Sequence, residues 1–468
     1  MHAVKRTAAV AMTAAAALVA AACSNGTISS GNSGSAGKAG SGCKLHMLGE
    51  ARSSQAEANA WQQVFADFKA RYHCTVVATW QGQFTGVPQL LNEAHLAGQT
   101  VDIVTNGTEI WDFVKSGSLM DLTKMVSPYL NRFSPGTVAR FTLGGHVWGV
   151  PLSVESSSVF FYDATLFRKL GLTPPVTYAQ MVHVASVIKA KTSVSPVVEG
   201  GKDTWEWPMW YMNTYAQTSG NKSIPDTISV LDGKQKFTDP ASVQAFADVA
   251  KFAQSGLLTS SSLATDENGA IAAFVQQKAA MMFDGTWALP LLRQAKPKFQ
   301  IGVFTFPMVV NTAGVVSQPS GAPEGALSIP SFIPKADLPM ASQFIEFATS
   351  PPEAGKILAT LDPTVPSVAA VPSSSDPLAS TLRHDFLPRT IGWLDWMWPS
   401  PVTTSVENAI EGVLFNHESP QQAAQAVQTE LDTLRQQQHY TYDFLSGWSK
   451  SQWAKVEPAK VPKIQIGQ

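Results

Sequence analysis

Three segments decide the fold: 44-KLHML-48, 75-TVVATW-80 and 101-VDIVT-105. Each is short and apolar, the pattern of a buried strand. Between the first two, Trp61, Val64, Phe65, Phe68 and Tyr72 recur at helical spacing. Leu90, Leu91 and Ala94 mark a second helix before the third segment, and Ile110, Phe113 and Val114 a third helix after it. The order is β-α-β-α-β. Such alternation predicts a parallel sheet with helices on both faces, whose ligands sit beyond the carboxyl ends of the strands.

Toward the C-terminus the pattern passes Pro151 and enters a second lobe. Residues 159–162 read as a strand, and Thr177 with Gln180 forms a capping box ahead of Met181, Val182, Ala185 and Ile188. Asp239 as N-cap and Pro240 at the first helical position open a helix through Val243, Phe246 and Val249 that stops near Gly256. Further helices are predicted over 271–277, 341–349, 353–361 and 420–436. The chain beyond residue 42 holds no other apolar stretch of membrane length and is large enough for two lobes with separate cores.

Four landmarks then occur in a fixed order. The first is 101-VDIV-104 followed by Trp111, Gly117, Leu119, Asp121 and Leu122. The second is 146-HVWGVP-151 with 161-FYD-163, 166-LF-167, 170-LGL-172, 174-PP-175 and 177-TY-178. The third runs from 274-FV-275 through 278-KAAMM-282 to Gly285 and Trp287, and the fourth is 325-GALSI-329 with residues 341–347 and Pro366. Together they resemble the extracellular solute-binding proteins of carbohydrate ABC importers, the group that includes maltose-binding proteins. The resemblance implies a two-lobed, type II-like periplasmic-binding-protein fold with a ligand cleft at the lobe interface. Its hinge segments would lie near Pro151, Asp284 and Gly325. On that pattern residues 43–150 and 285–325 form the N-lobe, and 151–284 and 326–468 the C-lobe. The implied partners are permease subunits with their ATPase, and the protein is expected to be a monomer that closes around its ligand.

The N-terminus agrees with export. Lys5 and Arg6 precede an apolar run over 8–22, too short to span a bilayer, so 1–22 reads as a signal peptide. The run into Cys23 resembles a lipoprotein processing box, which implies a lipidated Cys23 on the outer face of the cytoplasmic membrane. Ala20 and Ala22 also satisfy the small-x-small rule for ordinary cleavage, which would release a soluble protein. Residues 23–42 are almost wholly Ser, Gly, Ala, Asn and Lys after Cys23 and read as a flexible tether. Of the 3 Cys, Cys43 and Cys74 begin the first two strands of an exported chain, where a disulfide is one reading and two buried thiols the other.

Composition narrows the ligand. The formal net charge is -2 with Lys and Arg scattered, which argues against a nucleic-acid partner. Sugar binding needs flat aromatic faces for C–H surfaces and fixed polar groups for hydroxyl edges. The 13 Trp cluster, with Trp205, Trp207 and Trp210 in one loop-like group and Trp393, Trp396 and Trp398 in another. Strand ends offer Glu50 and Arg52, then Trp80, Gln81 and Gln83, then Asn106 and Glu109. Glu155, Asp284, Trp287 and Gly325 gain weight from the hinge regions of the resemblance, Trp287 most. Core packing is the alternative for each Trp, and a solvated loop group for each polar residue.

Other classes find less support. Glu50, Glu109 and Glu155 are carboxylates a glycosidase would need, yet there is no G-x-S-x-G elbow, H-E-x-x-H or P-loop, and lone histidines such as His95 and His146 read as surface or packing residues. No enzyme activity, cofactor or metal is expected. A phosphorylated polyol, such as glycerol phosphate or a glycerophosphodiester, would call on Arg52, Lys202, Arg383 and Arg389. An adhesin or scaffold that kept the fold would show no ligand-induced closure.

Overall fold

In the computed structural model, residues 42–50, 54–81, 86–106, 110–133, 135–152, 158–321, 325–361 and 366–437 are described. The three deciding segments form β1 (Lys44–Glu50), β2 (Thr75–Gln81) and β3 (Ile103–Asn106). β1 lies between the other two and runs parallel to both, with Lys44 opposite Thr75 and Met47 opposite Ile103. The crossovers are the helices Gln55–Tyr72 and Gly86–Leu96. Ser54 starts the first by accepting the Glu57 N–H, Lys69 and Arg71 favour its carbonyl end, and Trp61, Val64, Phe65 and Phe68 form its buried stripe. A disulfide joins Cys43 to Cys74 at the amino ends of β1 and β2, with the Cα atoms 4.4 Å apart.

β4 (Thr142–Leu143) and β5 (His146–Val147) make a small hairpin ahead of β6 (Val150–Pro151). The second sheet follows, from β7 (Ser158–Asp163), β8 (Ser195–Val198), β9 (Ala279–Gly285) and β10 (Ile301–Phe304), in the order β10-β7-β9-β8. β9 is buried along its whole length, as its run of Ala, Met and Phe requires. β11 (Ala326–Ser328) then returns to the first sheet, giving the order β2-β1-β3-β11-β6. The helices Trp207–Thr218, Pro240–Gln254, Ser400–Phe415 and Pro420–Gln437 pack together beside the second sheet. The capping box forms at Thr177 and Gln180 as expected. No helix among the described residues is long and apolar enough to cross a membrane.

Strand pairing departs from the expected allotment of lobes. Within 285–325, β10 pairs antiparallel with β7, because its apolar residues close the open edge of the second sheet. Within 326–468, β11 instead fills the gap between β3 and β6, and Asn106 Nδ2 donates to Ser328 Oγ at 2.5 Å across that join. The helices Leu338–Ala348 and Pro351–Leu358 stay with the first lobe, where Phe344 and Phe347 pack on Phe68. The chain therefore changes sheet after Pro151 and again near Gly325, and stays with the second sheet at Asp284. A further return lies between Val368, bridged to Phe133, and Ile391, bridged to Ser320.

Candidate functional site

The carboxyl end of β9 delivers Asp284 and Gly285 to a short 3-10 turn, Thr286–Ala288, that carries Trp287. Trp287 stands in the middle of a run of four indoles. Its ring centroid is 5.7 Å from Trp205 and 5.8 Å from Trp393, and Trp393 stacks on Trp396 at 6.0 Å. Trp205 and Trp287 are partly exposed, whereas Trp393 and Trp396 are nearly covered. Arg140, at the end of the helix Pro135–Arg140 that packs on β6, holds its guanidinium 4.4 Å over the Trp396 ring. A cation of the first lobe thus meets an aromatic face of the second, a contact strengthened by exclusion of water.

A cluster of carboxyl groups adjoins this run through Glu267. Trp287 Nε1 donates to Glu267 Oε1 at 2.8 Å, which fixes the ring edge. Glu199, one residue past β8, accepts from Trp210 Nε1 at 2.8 Å, and Glu206 accepts from the Gly200 N–H at 3.1 Å. Burial pushes Glu199, Glu206 and Asp284 well above the usual carboxylate range, and mutual repulsion adds to it. Burial likewise raises Glu267 and Asp395 to about 7. These acids are largely neutral in the fold at pH 5, so the floor of the site is polar without being strongly charged. Among the described residues no group of three or more His, Cys, Asp or Glu is placed to hold a metal ion.

The structure brings together Trp205, Trp287, Trp393, Trp396 and Asp284 and leaves other candidates apart. Arg52, Gln83, Glu109, Glu155 and Cys23 lie outside the described residues. Glu50 ends β1, where its N–H donates to Thr105 Oγ1 at 3.1 Å. Trp80 packs its ring on Trp61 and Phe65 within the first lobe. Asn106 is fully buried in the β3–β11 join and serves the sheet. Gly325 accepts the Leu152 N–H at 3.0 Å and marks a chain crossing.

Trp207 is a correction. Its stretch is helix and not loop, its ring is fully buried against Phe415, and its N–H donates to Glu411 at 3.1 Å, so it packs the second lobe. Three of the phosphate-binding candidates lie among the described residues, each with a partner of its own. Lys202 pairs with Asp266 at 3.4 Å, Arg383 donates to the Ser374 carbonyl and Arg389 to the Asp385 carbonyl. Sequence reasoning missed Glu199, Glu206, Glu267 and Arg140. Glu199 was within reach, because it follows a parallel strand just as Glu50 does. Arg140 carries no sequence signal, since its role depends on a ring contributed 256 positions later.

Known proteins fit this geometry. A family model described as bacterial extracellular solute-binding protein matches residues 63–381, more than half of the chain. The chain belongs to that family. Solute-binding proteins are exported, transport-associated binders rather than enzymes, which accords with a fold built around an interface. The multiple sugar-binding protein of Streptococcus mutans is 26% identical over 332 residues, covering 68% of this solute-binding protein and 76% of the relative. A chitin oligosaccharide binding protein superposes with a TM-score of 0.74 at 21% identity, over 84% of this chain and 99% of that one. Maltose-bound MalE3 of T. maritima superposes with a TM-score of 0.69 at 20% identity, over 84% and 100%. These structures confirm the two-lobed fold.

Proposed function

We propose that this solute-binding protein captures a neutral sugar or oligosaccharide between its lobes and delivers it to an ABC permease. The partly exposed rings of Trp205 and Trp287, backed by Trp393 and Trp396, carry the reading, because an indole face takes the C–H surface of a sugar ring. Carboxyl and indole edges around them supply hydroxyl partners. The ligands of similar proteins, multiple sugars, chitin oligosaccharide and maltose, support the same class. A phosphorylated ligand is disfavoured, since Lys202, Arg383 and Arg389 are engaged by Asp266 and by the Ser374 and Asp385 carbonyls. Lipidation of Cys23 would tether the domain at the membrane where a permease operates, and loss of acyl incorporation in Cys23→Ser would establish it.

Ligand binding raises the melting temperature by mass action. Maltotriose, raffinose, chitotriose and glycerophosphocholine are therefore to be screened by thermal shift. At least one saccharide is expected to raise the Tm, and Trp287→Ala to abolish the rise. A shift with the phosphodiester alone would sink the saccharide reading.

A further inference from the structure

Residues 392–398 form a segment fixed at several points. Ile391 exchanges backbone hydrogen bonds with the Pro319–Gly321 stretch at 2.9 and 2.8 Å, the Leu394 N–H donates to Met212 Sδ at 3.0 Å, and the Met397 N–H to the Leu394 carbonyl at 2.9 Å. On this held segment three polar atoms are out of contact with water and have no hydrogen-bond partner among the described residues: Trp393 Nε1 and Trp398 Nε1, both donors, and Asp395 Oδ1, an acceptor. A buried polar atom without a partner costs free energy that a ligand group can recover by completing the bond. Trp393 belongs to the indole run, between Trp287 and Trp396. Asp395 keeps part of its surface exposed and senses Arg140 from the first lobe and Glu407 from the helix Ser400–Phe415.

We propose that Asp395 and the indole N–H of Trp393 are the specificity pair of the site, an acceptor and a donor that hydroxyls of the bound saccharide complete. The proposal rests on the saccharide reading above. It assigns selection to the segment 392–398: the indole faces accept any sugar ring, whereas this pair reads where its hydroxyls stand. A hydroxyl both donates and accepts, so it can satisfy the carboxyl oxygen and the indole N–H alike. Trp398 supplies an internal comparison. Its N–H is also without a partner, but its ring packs on Tyr211 and Phe237 in the second lobe, away from the indole run.

The test is titration calorimetry of the full-length chain with maltotriose, raffinose and chitotriose, using wild type, Trp393→Phe, Asp395→Asn and Trp398→Phe, beside the Tm of each unliganded protein. Trp393→Phe keeps an aromatic face and deletes the donor, and Asp395→Asn keeps the shape and exchanges one acceptor for a donor. Each is expected to weaken binding of the preferred sugar about tenfold or more, without lowering the unliganded Tm, while Trp398→Phe binds as wild type does. Unchanged affinity in Trp393→Phe and Asp395→Asn overturns the pair and leaves the saccharide reading standing. A lowered unliganded Tm with unchanged affinity also overturns it, by assigning both groups to structure. Wild type silent toward all three sugars sinks the saccharide reading and the pair with it.

Discussion

Gly285 shows how closely one residue controls the site. A Cβ at this position would overlap the six-membered ring of Trp287, so only glycine lets the indole fold back over the end of β9. Gly285→Ala is expected to displace that ring and weaken saccharide binding about tenfold or more, because overpacking of a fixed contact costs about 1–3 kcal/mol. Calorimetry with the sugar preferred by wild type checks this, and unchanged affinity would show that ligand does not touch Trp287. Gly201 faces Trp207 in the same way, yet that ring is core. In both pairs a ring lies against a glycine, and the neighbours distinguish them: Phe415 and Glu411 cover Trp207, while Trp287 stays partly exposed.

At the scale of elements, the strands and helices with strong local signals were legible. Apolar runs marked β1, β2 and β3, and Thr177 with Gln180 announced its helix through a bond between neighbours. What escaped was pairing over distance. Nothing near residue 301 says that β10 will meet β7, and nothing near 326 says that β11 will enter between β3 and β6. The helix Trp207–Thr218 was hidden because burial on all sides erases amphipathic periodicity. The disulfide gives an element-scale prediction. Cys43 and Cys74 are separated by 31 positions, and a closed loop of that size limits the unfolded chain by about 3–4 kcal/mol. Replacing both with Ser is expected to lower the urea midpoint by that equivalent while leaving sugar affinity unchanged, since the bond ties the amino ends of β1 and β2, and ligands of such sheets sit beyond the carboxyl ends. A loss of affinity as large as the loss of stability would contradict that separation.

For the whole molecule, buried acids set the response to pH. A carboxyl raised by burial keeps its proton in the folded chain at pH values where the unfolded chain has released it. Its contribution is full below the unfolded value and is lost as pH rises through the folded one. For Glu267 and Asp395 that window runs from the ordinary carboxylate range to about 7, and Glu199, Glu206 and Asp284 act in the same direction. Asp67, Asp121 and Asp376 are lowered by their partners and stay ionised above pH 5, so they do not offset the trend. The Tm is expected to fall by several degrees between pH 5 and pH 8, and a rise over that interval would refute the assignment. The return of β11 to the first sheet has another consequence, in time rather than in space. Asn106 pairs with Ala326, so a chain crossing the membrane from its N-terminus exposes β3 with an open edge while some 220 further residues are still being threaded through. The cover that Phe344 and Phe347 give Phe68 comes later still. The first lobe begins first and cannot close its sheet until most of the second has emerged, which makes export a period of exposure to misassociation that a holding chaperone would shorten.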